Sequence, residues 1–123
     1  MRFRIFVAAF VVGVAGCTTP PLTPGEARIV ERAVIAPYQL HDQCMRLETG
    51  ERLDWRYESS EPIAFNIHYR EGIADMSPIV RDHSTIDAGT FEARSAQAYC
   101  LTWEAGAAGA FIGYRMLLRP AAR

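Results

Sequence analysis

The side chains in this sequence best suited to acid–base, metal or redox chemistry are three histidines, His41, His68 and His83, and three cysteines, Cys17, Cys44 and Cys100. The histidine spacing matches no zinc motif, in which ligands recur as close pairs. Asp82-His83-Ser84 has the composition of a hydrolase triad, but neighbours on one strand or turn point in different directions and do not converge on one proton path. Neither GxSxG, nor HExxH, nor a phosphate-binding glycine loop occurs. No catalytic residue, metal site or cofactor is therefore assigned, and the histidines are read as surface residues without a shared role. Asn66 and His68 share the face opposite Phe65, Ile67 and Tyr69; with Arg70 they form the candidate binding patch, set against the plainer reading of a solvated sheet face.

The cysteines separate by context. Met1-Arg2-Phe3-Arg4 is a basic start, Ile5 to Val14 an apolar stretch, and Ala15-Gly16 a small-residue end before Cys17, the three parts of a secretory signal. From Ile5 to Gly16 a helix would reach about 18 Å, short of a bilayer core of about 30 Å. Val14-Ala15-Gly16-Cys17 resembles the lipobox of bacterial lipoproteins. That resemblance implies diacylglycerol on the Cys17 thiol, then cleavage before Cys17, three acyl chains such as palmitate on that residue in all, and a membrane-held mature protein. Thr18 in place of Asp after the cysteine implies sorting to the periplasmic face of the outer membrane in cells with two membranes. With Cys17 lipidated, Cys44 and Cys100 remain in a compartment where disulfides persist. Cys44 precedes the core-directed Met45 and Leu47, and Cys100 lies between the core-directed Tyr99 and Leu101, so both can project from one sheet face and pair.

The elements around these residues are mostly strands. The expected organisation is a signal peptide over 1–16, a lipidated cysteine with a proline-rich tether over 17–28, and one domain over 29–123. Thr18 to Gly25 holds three prolines and a glycine, which suits an extended tether. Thr23-Pro24-Gly25-Glu26 has the form of a capping box, while Ile29 to Ile35 reads equally as a first strand. From Cys44 onward the period is two. Leu53, Trp55 and Tyr57 mark one strand; Ile63, Phe65, Ile67 and Tyr69 mark the next, with Glu58 to Pro62 as the connection. Tyr99, Leu101 and Trp103 alternate, and Gly106-Ala107-Ala108-Gly109 separates them from Phe111 to Leu118. About seven or eight short strands with turn signals between them predict an all-β fold, an antiparallel β-sandwich with one disulfide.

From Cys44 to about Met116 the pattern resembles a Golgi-dynamics (GOLD) domain, a jelly-roll-like β-sandwich. Leu47-Glu48-Thr49-Gly50-Glu51-Arg52-Leu53-Asp54-Trp55 resembles its turn into a strand, Phe65-Asn66-Ile67 its central strand, and Gly89 to Ala93 leads into Tyr99-Cys100-Leu101-Thr102-Trp103. The sequence departs from that pattern where Cys100 directly follows the tyrosine, and at Gln97 and Ala105. The resemblance implies a pairing of Cys44 with Cys100 and a sandwich used for protein or lipid contact, without catalysis.

Charge bounds the partners. All 13 basic residues are arginine; losing Arg2 and Arg4 with the signal leaves 11 against 14 acidic residues, a net charge of −3 without a basic cluster. Nucleic acid is excluded as a partner on that ground. The expected function is a lipid-anchored cell-envelope protein whose β-sandwich binds an envelope protein or component. The runner-up is a periplasmic inhibitor of an envelope-attacking hydrolase, marked by a protruding loop at Glu71 to Pro78 or Ala105 to Gly109. A small hydrolase using His68 or His83 comes third; it needs an acidic or nucleophilic residue brought near by folding, and a cleft that gathers His41, His68 and His83 would favour it.

Overall fold

The computed structural model describes residues 21–122, so the signal segment and Cys17 lie outside the described residues. The fold is all-β, with strands β1 (Ala27–Ile35), β2 (Leu40–Leu47), β3 (Arg52–Glu71), β4 (Ala74–Glu92), β5 (Gln97–Ala105) and β6 (Ala110–Arg119). Every pairing is antiparallel, in the order β1-β6-β3-β5-β2, with β4 on β3.

The registers show how one sheet makes a two-layered core. The first half of β3, Arg52 to Ser59, pairs with β6, and its second half, Ile63 to His68, pairs with β5 on the same edge. β4 runs along the opposite edge of both halves. β5 and β6 thus follow one another along β3, as β1 and β2 follow one another along β6 and β5. The sheet amounts to four long ribbons, each bent once near its middle, at residues 36–39, 59–62, 83–84 and 106–109. At this bend Tyr38 N–H donates to Gly106 O (3.1 Å) and Ala105 N–H to Gln39 O (3.1 Å). Folding over brings the inward rows into contact: Trp55 and Tyr57 from the first half of β3 meet Phe65 from the second at 4.7 and 4.9 Å, and Trp103 of β5 stacks on Tyr114 of β6 at 4.4 Å. Burying such aromatic faces against each other is the main stabilising contribution available to a domain of this size.

Among the described residues six strands form where seven or eight were expected. The segment Glu58 to Pro62 is a kink inside one 20-residue strand, with shifts of register between Glu58 and Ile63. Pro62 bends the strand without ending it, and Phe65 still reaches Trp55 because the bend folds the strand onto itself. Ile29 to Ile35, which the sequence allows as helix or strand, lies in β1. Thr23 does meet Glu26 as a capping box would: the Thr23 hydroxyl and N–H both donate to Glu26 Oε2. The next element is nevertheless a strand, because Gly25 at φ 86 turns the chain and Glu26 N–H closes on Thr23 O. The packed chain also reaches back into the stretch expected as a tether. Leu22 is buried in the core, and Gly25 N–H donates to Leu118 O at 2.7 Å.

Candidate functional site: the projecting hairpin and the cleft beneath it

Beyond His68, which pairs with Cys100, β3 has no neighbour except β4 among the described residues. Residues Tyr69 to Met76 therefore leave the body as a two-stranded arm, held by the pairs Tyr69 with Met76, Arg70 with Asp75 and Glu71 with Ala74. Gly72 and Ile73 form the two-residue turn. Gly72 has φ 60, the left-handed value a type II′ hairpin turn requires at its first central position.

The two faces of the arm and its root differ. The outward face carries the patch read from sequence. Asn66 Oδ1 lies 3.1 Å from His68 Nδ1, and Arg70 Nε donates to Asp75 Oδ1 across the hairpin at 3.3 Å. Arg70 and Glu71 are still in strand β3. Next to His68 in register is the disulfide Cys44–Cys100, which ties β2 to β5 at directly opposed positions on this outward face. In the next row Thr102 donates to Asp42 Oδ1 at 2.5 Å.

The inward face of the arm overhangs a cleft of about 450 Å³ lined by Tyr69, Pro78, Ile79, Thr90, Phe91, Glu92, Arg94 and Tyr99. Its floor is aromatic: Tyr99 meets Tyr69 at 5.2 Å and Phe91 at 5.1 Å between ring centroids. Tyr99 is fixed by its hydroxyl, which donates to Ser95 O at 2.7 Å. Arg94, exposed on the connection between β4 and β5, has no hydrogen bond or ion pair among the described residues. The cleft thus offers ring surface beside one cation, Arg94, and one carboxylate, Glu92, an arrangement that suits an extended peptide, whose acidic group Arg94 would take.

The histidines are scattered. His68 is on the outward face, His83 is exposed at the bend of β4 with φ 49, and Ser84 is taken by Tyr57, whose hydroxyl shares a 2.5 Å hydrogen bond with it. His41 corrects the reading of all three as surface residues. It points inward between the layers, its ring 5.5 Å from that of Tyr114 and 5.8 Å from Trp103. Gln43 Nε2 donates to the Tyr114 hydroxyl (2.7 Å), leaving that hydroxyl's own hydrogen for His41 Nε2 (2.9 Å). Arg28 donates to Gln43 Oε1 at 3.2 Å, extending the network to β1. Burial pushes the His41 pKa down, with Asp42 pulling weakly the other way, and burial pushes the Tyr114 hydroxyl up. Among the described residues no three His, Cys, Asp or Glu side chains gather as metal ligands.

Sequence reasoning missed the cleft and the His41 network. Parity offered a signal for the network, since His41 and Gln43 share the face of Met45 and Leu47. For the cleft, Tyr69, Phe91 and Tyr99 read as ordinary core positions. No protein-family model matches the chain, and a search of the curated proteins finds no match.

Proposed function

We propose that this protein is a lipid-anchored component of the bacterial cell envelope whose β-sandwich is a non-catalytic binding module, and that the cleft beneath the β3–β4 arm holds its partner. The observation that carries the binding role is the pairing of an exposed, aromatic-floored cleft with an arginine that has no partner of its own among the described residues. The anchor rests on the lipobox-like Val14-Ala15-Gly16-Cys17. The likeness to the Golgi-dynamics pattern agrees with a sandwich used for contact. His41 points inward between the layers, His68 lies on the outward face and His83 at the bend of β4, an arrangement that favours the binding reading over the hydrolase one.

Photo-crosslinking in the native envelope tests the binding role. A photoreactive residue at Pro78, on the rim of the cleft, should give a discrete adduct, and the same group at Ala108, at the bend, should not. Arg94→Glu should reduce the Pro78 adduct severalfold. Identical adduct patterns from both positions would exclude the cleft. The arm also fits the second reading, an inhibitor that presents a protruding loop to a hydrolase, because Glu71 to Pro78 includes its tip.

A further inference from the structure

The tip of the arm carries an isoleucine that nothing among the described residues packs against. Ile73 is 101% exposed. The turn needs glycine at its first central position, which Gly72 supplies; it draws nothing from a β-branched apolar residue at the second.

The registers fix where this tip lies. Glu71 falls level with Gln97, because His68 opposes Cys100, and Gln97 opposes Leu47. In the other layer Arg52 opposes both Glu92 and Arg119, and Ala27 opposes Leu117. These strand ends meet through two short connections, 48–51 and 93–96, which bond to each other: Gly50 N–H donates to Ala93 O (2.8 Å) and Ala93 N–H to Glu51 O (2.9 Å). The arm tip, these two connections and the start of the packed chain at Leu22 all lie at one end of the sandwich, opposite the bend.

We infer that this end faces the bilayer and that Ile73 enters its interfacial zone, so that the arm is a second membrane contact beside the lipid on Cys17. The inference rests on the anchor proposed above. Leu22 is already packed, so only five residue steps separate it from Cys17, a reach of at most about 18 Å for an extended chain. A domain held that closely keeps its anchored end at the headgroups. The charges flanking the tip allow the approach: Arg70 and Asp75 neutralise each other across the hairpin, and Glu71 is set back from Ile73 toward headgroup depth. A tip turned to lipid is not available to enter a hydrolase, so this placement opposes the inhibitor reading.

The test uses the full mature protein, acylated and reconstituted in vesicles of phosphatidylethanolamine and phosphatidylglycerol. Ile73→Trp, at a fully exposed position, is compared with Ala108→Trp at the bend, and the signal of the buried Trp55 and Trp103 is subtracted using the unaltered protein. The emission added by Ile73→Trp should shift to shorter wavelength on the membrane and be quenched by brominated acyl chains at least twofold more than that of Ala108→Trp. Equal quenching of the two, with Cys17 acylated and the protein on the vesicles, would overturn the lipid contact while leaving the anchor intact, and would free the tip for a protein partner. A mature protein without acyl mass at Cys17 would remove the anchor and the inference together.

Discussion

His41 shows how one inward-facing side chain sets a pH response. Its folded pKa is depressed by burial below the ordinary value of 6.5, so on acidification the unfolded chain takes up this proton first. The His41 contribution is flat above that value and turns destabilising as pH falls below it, until the folded state is protonated as well. Urea unfolding at pH 8 and at pH 5.5 should therefore show lower stability at pH 5.5, and His41→Gln should narrow the gap; an unchanged gap would assign the acid sensitivity to other groups. Gly89 makes a steric case. A Cβ there would lie 2.7 Å from Trp55 Cζ2 and 3.0 Å from Cε2, and the indole is held by Phe65 and Tyr57. Gly89→Ala should cost about 1–3 kcal/mol in denaturant unfolding. The outward direction of Asn66 and His68 was legible from parity with Phe65 and Ile67, whereas the inward direction of His41 needed the same parity carried back from Met45 and Leu47. The apolar floor of the cleft was not legible at all, because Phe91 and Tyr99 serve the core and the cleft at once.

At the scale of elements, alternation revealed the strands that have one wet face and one dry face. Leu53 to Tyr57, Ile63 to Ile67, Tyr99 to Trp103 and the inward residues of β6 all pack as their period of two implies. β4 escaped that test because most of Ala74 to Glu92 is exposed on both sides and has no dry face to imprint a period. Its outer edge is a pairing hazard, moderated by Pro78 and by the break of regular backbone at His83. The Glu58 to Pro62 stretch looked like a turn because local composition cannot distinguish a sharp bend from a chain reversal. The disulfide acts on the element it ties down: among the described residues β2 is an edge strand paired with β5 alone, and Cys44–Cys100 pins that register while closing 56 residues of sequence. Replacing both cysteines with alanine should lower stability by about 4 kcal/mol in the loop-closure account, read as a fall in thermal midpoint. Full retention of that midpoint would show that hydrogen bonding holds β2 unaided.

The whole molecule is a folded-over sheet with two unlike ends. One end holds the four bends, and the other gathers the start of the packed chain, the 48–51 and 93–96 connections, the arm and Ala121 beside Gly50. This polarity suits a domain tethered from one side, since the cleft opens near the end where the packed chain starts, with Arg94 in its lining. Cys17→Ser should release the domain from membranes or leave an uncleaved precursor, read by fractionation and immunoblotting. The most direct measurement for the account as a whole is the intact mass of the protein extracted from membranes without reduction. A lipid-anchored, disulfide-bonded protein should give a chain that begins at Cys17, carries the added mass of diacylglycerol and an acyl chain, and has Cys44 and Cys100 oxidised. A mature chain recovered from the soluble fraction with no lipid mass at Cys17 would contradict it.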